Sequence, residues 1–268
     1  MSIISNFFKR KDEKPKIQSI PSEDAKEMVD ILGCSCEVIP PSGNPEALMT
    51  VYLTEYKRGM EKGYTPVFIA SDTVLLETLE INNEDNGRGE SYRKELLKID
   101  LSDGEEYLKK MFDVTVSYLK DEGLGDEEIY GSEGEENCNG GESCHRFSGF
   151  SDYGSKKNRE MILARIPAKP WEVFAWVPFG GWNECPLPED MMRASKYWYN
   201  KYGAVPAVIT SDTLEFYLPE AVNDKDEAFK IACQQYGFCT DIVDQGTGSI
   251  RALAGTIKGS TVWFFWWD

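Results

Sequence analysis

Residues 63–73 of the chain, Gly-Tyr-Thr-Pro-Val-Phe-Ile-Ala-Ser-Asp-Thr, return 140 positions later as Gly203 to Thr213, with six of the eleven pairs identical. Three more pairs (Val67/Ala207, Phe68/Val208 and Ala70/Thr210) keep a small or strand-forming residue. Each segment opens on a glycine suited to ending a helix, continues as a short apolar strand, and closes on an Asp able to cap a following turn. The expected architecture is α/β: two related α/β sandwich units from an internal duplication, with mixed sheets flanked by helices. A chain of 268 residues, 41% hydrophobic, can supply a core for each.

The expected boundaries are a tail over residues 1–20, a first unit over 21–120, an acidic glycine-rich linker or mobile loop over 121–158, and a second unit over 159–268. In the first unit, Ser22 is placed to cap a helix carrying Met28, Ile31 and Leu32. Cys36 to Ile39 reads as extended. Pro45 to Lys62 reads as a helix with Leu48, Tyr52, Tyr56 and Met60 on one stripe. Asp72 should cap a helical turn after the Val67-Phe68-Ile69 strand. Ser102-Asp103-Gly104-Glu105 resembles a capping box ahead of a Leu108, Met111, Thr115 and Tyr118 stripe. Asp121 to Ser143 holds nine acidic residues and no Lys or Arg, a composition poor in buriable area. In the second unit, Trp171 to Phe179 reads as a strand and Gly180 to Pro186 as an irregular turn. Helices are expected over Pro188 to Tyr202, from Asp224 to Tyr236, and over Ser249 to Ile257. Strands are expected at Ala207 to Ile209 and Thr261 to Trp267.

A net charge of −17 argues against nucleic acid, because phosphate contacts need clustered Lys and Arg. It suits a basic protein partner, or solubility. The longest apolar runs fall short of a membrane span of about 20 residues. At the N-terminus the apolar residues precede the basic cluster, the reverse of a secretory signal, so a cytoplasmic setting with reduced thiols is expected for the seven cysteines.

In the second half, Trp198, Gly203-Ala204, Glu227-Ala228, the run Cys239-Thr240-Asp241-Ile242-Val243-Asp244-Gln245-Gly246, and the ending Phe265-Trp266-Trp267-Asp268 resemble a bacterial family catalogued as domain of unknown function 4253. The resemblance covers about residues 159–268. It supports an independent C-terminal unit in a soluble bacterial protein and implies no activity.

Cys239, Asp241, Asp244 and Gln245 place a thiol, two carboxylates and an amide within seven residues, enough for a nucleophile with a base or a metal ligand. The competing reading packs Cys239 inside and uses Asp241 and Gln245 to satisfy backbone donors around a turn. All seven tryptophans lie in the second half. Those of the last strand are expected in a central, doubly covered position, whereas Trp182 and Asn183, in a glycine-rich turn, are candidate ligand contacts. Cys138, Cys144 and His145 are weak zinc candidates that would need Cys34 and Cys36 to complete a site. His145 is the single histidine, which disfavours imidazole-based hydrolysis. Gly180-Gly181 is followed by no Lys-Ser/Thr, and no cofactor is expected. Two functional readings stand: a non-enzymatic inhibitor or immunity-type protein for a basic partner, and an enzyme or small-ligand binder with a pocket near Cys239, Asp241, Gln245 and Trp182.

Overall fold

A computed structural model describes residues 20–42, 44–85, 89–135, 143–151 and 155–268. The helices are α1 (Glu23–Leu32), α2 (Pro45–Lys62), α3 (Thr73–Asp85), α4 (Glu90–Leu96), α5 (Gly104–Asp121), α6 (Asp126–Tyr130), α7 (Pro188–Tyr202), α8 (Lys225–Phe238) and α9 (Ile250–Ile257). The strands are β1 (Ser35–Ile39), β2 (Thr65–Ala70), β3 (Met161–Ile166), β4 (Val205–Ile209), β5 (Thr213–Tyr217) and β6 (Val262–Trp266). All six share one mixed sheet in the order β1-β3-β2-β4-β5-β6. Only the central pair, β2 and β4, runs parallel; every other neighbour is antiparallel.

That sheet corrects the expectation of two separate sandwiches. The repeated segments lie side by side, Phe68 opposite Val208 and Ile69 opposite Ile209. Both preceding helices end on a left-handed glycine, Gly63 at φ 78° and Gly203 at φ 70°. Two short strands bury more backbone and apolar surface by pairing with each other than by nucleating separate small sheets. After the motif the copies diverge. Asp72 accepts the Leu75 amide at 2.8 Å and caps α3, as expected. Asp212 caps no helix: the chain reverses into β5, and its carboxylate instead accepts from the Thr210 and Thr213 hydroxyls.

The sheet is covered unequally. On one face Ile69, Ile162, Ile209, Phe216 and Phe265 meet α1, α3, α5, α7, α8 and α9 in the larger core. Trp198 of α7 is its hub, stacked on Phe265 at 5.5 Å between centroids and edge-on to Phe238 and Trp263. On the other face Phe68, Met161, Leu163 and Val208 meet α2 and the aromatic pair Phe147 and Phe150. Glu215 of β5 points to this thinner side and is 1% exposed. Its carboxylate clamps the Phe147–Phe150 segment, accepting from the Ser148 amide (2.7 Å), the Ser148 hydroxyl (2.8 Å) and the Gly149 amide (3.0 Å). Burial nevertheless pushes its carboxyl up to about 7.

Several local expectations are corrected. Trp171 to Phe179 is not a strand: Pro170–Ala175 forms a 3-10 turn, because Pro170 suits a first helical position and Glu172 accepts the Lys169 amide at 3.0 Å. The α2 stripe keeps Leu48, Tyr52 and the half-buried Tyr56 but leaves Met60 exposed, and Glu55 and Gly59 are buried beside it. Glu55 is satisfied there by Arg165 (2.8 Å) and the Tyr64 hydroxyl (2.6 Å). Ser102 caps nothing; its hydroxyl bonds to Asp100, α5 starts at Gly104, and Tyr118 is exposed. Within the stretch read as a linker, Ile129 of α6 is buried, the Gly131 carbonyl accepts from Arg251, and Phe147 and Phe150 are core. Those apolar anchors offset the ordering cost that the surrounding acidic residues cannot. The expected tail at residues 1–19 lies outside the described residues.

Candidate functional site

The carboxyl ends of parallel strands open crevices where their connections leave in different directions. Here β2 continues into α3 on the helix-rich face, while β4 turns back into β5. A cavity of about 520 Å³ opens at that divergence. Val74, Thr78, Ile81 and Asn82 of α3 form one wall. Gly180, Gly181 and Trp182 form a second, Ser211 and Asp212 lie at the end of β4, and Trp266, Trp267 and Asp268 close the site beyond β6. The lining holds three indoles and two carboxylates, and no Lys or Arg.

Each wall is held by polar contacts. Asn82 is buried and donates to the Pro178 and Gly180 carbonyls at 2.7 and 2.9 Å, fixing the glycine turn. Gly180 and Gly181 adopt φ of 96° and 84°. At Gly180 a Cβ would lie 2.0 Å from the Pro186 carbonyl oxygen, so only glycine fits. Asp212 accepts the Trp266 indole N–H at 3.1 Å and tethers the Trp267 amide through its carbonyl at 3.1 Å. Asn183, itself at φ 47°, donates to the Asp268 carbonyl at 2.6 Å. The indole nitrogens of Trp182 and Trp267 are buried behind the cavity wall without a hydrogen-bond partner.

The candidate residues of the 239–245 run meet the same ending from behind. Cys239 is 1% exposed and its thiol donates to the Trp266 carbonyl at 3.0 Å. Burial pushes that thiol up to about 12, the wrong direction for a nucleophile at neutral pH. Asp241 accepts the Asp268 amide at 3.0 Å through one oxygen and Gln245 at 2.9 Å through the other. Asp244 accepts the Tyr236 hydroxyl at 2.7 Å, and burial raises its carboxyl. Asp244 and Gln245 sit in a π-helical turn, Ile242–Thr247, with Asp241 just before it and Cys239 at the end of α8, and the four brace the wall rather than line the cavity. Thr240 completes the brace by donating to Glu184 at 2.9 Å. The two motifs that stand out in the sequence, Cys-x-Asp-x-x-x-Gln-Gly and Phe-Trp-Trp-Asp, are thus two sides of one contact.

Trp182 lines the cavity, whereas Asn183 is not part of the lining and instead donates to the Asp268 carbonyl. Ser211 and Asp212 stood out in the sequence only as a helix cap, and Asn82 and the α3 face were not singled out. Asp212 had a usable signal, because its motif recurs with Asp72 while the residues after it, Leu214-Glu215-Phe216-Tyr217, alternate as a strand rather than a helix. The last strand is an edge rather than a central one, with Phe264 43% exposed, although Trp263, Phe265 and Trp267 do face the core.

The metal candidates are not brought together. Cys34 and Cys36 lie at β1, whereas Cys144 pairs its carbonyl with the Thr261 and Val262 amides at β6. These are opposite edges of a six-stranded sheet, roughly 24 Å apart at about 4.8 Å per strand. His145 bonds to the Thr261 hydroxyl at 2.9 Å. Cys138 lies outside the described residues. Among the described residues no group of three or more His, Cys, Asp or Glu is arranged to hold a metal ion, and no helix is long and apolar enough to cross a membrane.

No curated protein and no solved structure matches the chain. Residues 162–268, the part that supplies β3 to β6 and all of the cavity except the α3 wall, match the family model described as a domain of unknown function, DUF4253.

Proposed function

We propose that the chain is a small-ligand-binding protein whose cavity takes an organic cation with a flat apolar body. The observation that carries this reading is the lining: indole faces and the carboxylates of Asp212 and Asp268 surround about 520 Å³ with no basic side chain among them. Indole faces attract ammonium groups, and a cavity of this size is typical of small-molecule sites. Binding without catalysis fits the raised Cys239 thiol and the position of His145 beside Thr261, at the other end of β6 from Trp266. Phenethylammonium, 2-phenylethanol and 3-phenylpropanoate form a matched cation, neutral and anion series for the test. The cation should raise the melting temperature and alter tryptophan emission, and Trp182→Ala should abolish both. Equal response to all three, or to none, would overturn the reading.

A second reading, a basic protein partner presenting a cationic side chain to the same cavity, is favoured by its rim. Val74 and Ile81 are 60% and 58% exposed at the mouth, and the chain carries a net charge of −17. A salt-sensitive stoichiometric complex that blocks phenethylammonium binding would support it. An internal duplication also belongs among the proposals. It draws support from the in-register pairing of the two Gly-to-Thr segments and their matching helix ends. The helices before them, however, pack on opposite faces of the sheet. On this account residues 21–120 and 159–268 are descendants that fused into a common sheet, in a cytoplasmic bacterial protein whose cysteines form no permanent disulfide framework.

A further inference from the structure

Cys34 and Cys36 stand apart from the candidate site and from the other cysteines. Cys34 follows Gly33, the left-handed residue that ends α1, and Cys36 lies in edge strand β1. Residues two apart in an extended segment face the same side. Accordingly Cys34, Cys36 and Val38 all pack on the larger core, and the two sulfurs lie 3.7 Å apart. Both residues are partly exposed. By contrast Cys185 and Cys239 are buried with raised thiols, and Cys233 is likewise raised by burial.

Positive charge is fixed beside this pair. Arg93 of α4 donates to the Ile31 and Leu32 carbonyls at 3.2 Å each and to the Ala175 carbonyl at 3.3 Å, and lies over the Trp176 ring at 4.8 Å. The guanidinium is therefore pinned at the end of α1, next to Cys34. The neighbouring Cys36 thiol holds Cys34 below its ordinary value against the effect of burial, helped by Arg93 and by the Arg165 backbone amide. The same contact holds Cys36 in the thiol form. One sulfur is thus set up to attack and the other to resolve.

We propose that Cys34 and Cys36 form a reversible redox pair that exchanges with small-molecule disulfides. The Cys34 thiolate attacks one sulfur of a disulfide RSSR, the S–S bond breaks, and RS⁻ leaves as a mixed disulfide forms. RS⁻ takes up the Cys36 proton, and the Cys36 sulfur then attacks Cys34 and expels the second RS⁻, which is protonated by water. From the thiolate–thiol pair the chain loses two electrons and one proton, water supplies the second proton, and RSSR becomes two RSH. Ring closure is feasible because the two sulfurs already lie 3.7 Å apart and Cys34 sits in a bend ahead of β1, which can shorten the Cα separation into the range of about 4.4–6.8 Å that a disulfide spans. Closed over a single intervening residue and partly exposed, the bond is strained and readily reduced again. Strand β1 pairs only with β3, so the edge is free to accommodate the ring.

The test is incubation of the folded chain with oxidised glutathione, followed by alkylation and peptide mass mapping. The proposal expects a Cys34–Cys36 disulfide with two glutathione thiols released per chain. It expects Cys36→Ser to accumulate glutathione on Cys34, and Cys34→Ser to leave Cys36 unmodified. Cys34 should also react several-fold faster than exposed Cys144, because Cys36 and Arg93 favour its thiolate, and in denaturing urea the difference should vanish. Should Cys34→Ser fail to fold, the wild-type chain and Cys36→Ser decide the question. Absence of the disulfide, equal glutathionylation of Cys34 and Cys36 in the two variants, or a rate difference that survives in urea would overturn it.

Discussion

Glu215→Gln isolates one buried charge. The wild-type carboxylate has three donors around it, yet burial displaces its carboxyl from an ordinary value of 4.5 to about 7. A displacement of that size corresponds to about 3 kcal/mol of penalty on the charged form once it is fully ionised. A folded value above the unfolded one means that this stabilising contribution is complete below about pH 4.5 and lost as the pH rises through 7. About 2 kcal/mol of the loss falls between pH 5.5 and 8.5. Glutamine keeps the shape and does not titrate, but turns an amide donor toward a backbone donor, at a cost of about 1–2 kcal/mol at every pH. Urea unfolding of both proteins from about pH 5.5 to 8.5 should therefore show the variant gaining about 2 kcal/mol on the wild type across the range. Other raised carboxyls, such as Asp72 and Asp190, are common to both proteins and cancel. Parallel pH profiles would refute the reasoning and show that the three donors compensate the burial in full.

Asp72→Ala should cost about 1 kcal/mol in urea unfolding by leaving the first turn of α3 uncapped, while Asp72→Ser should recover most of it. Gly237→Ala should destabilise by at least about 1–3 kcal/mol, because a Cβ there would lie 2.4 Å from the Phe112 backbone nitrogen where α8 crosses α5. Asp241→Ala removes the acceptor of the Asp268 amide; it should weaken phenethylammonium binding several-fold and cost about 1 kcal/mol in stability. Asp212→Asn keeps the fold and removes one cavity charge, so calorimetry should record affinity for the cation falling about ten-fold or more.

Periodicity and capping made the helices and most strands legible. Pro45 and Lys62 bound α2 because Asn44 caps one end and Gly63 the other, and both signals are local. What failed was non-local. Nothing within residues 63–73 or 203–213 says that the two segments pair with each other, and the β3 strand that closes the first half lies 90 residues after β2. Trp171 to Phe179 misled because aromatic content outweighed a proline-initiated turn. The candidate site was half visible: the Cys239 to Gln245 run and the tryptophan ending stood out as sequence, and they do touch. Their roles were not legible, because which side of a shared wall faces the cavity depends on α3, from the other half of the chain.

The cavity is tested most directly by the indole N–H resonances in a nitrogen-15 spectrum during titration with phenethylammonium. The signals of Trp182, Trp266 and Trp267 should move together and saturate, while those of Trp171, Trp198 and Trp263 stay in place. Movement confined to the latter three, or no movement at saturating cation, would contradict a binding site between α3, the glycine turn and the Trp-Trp-Asp ending.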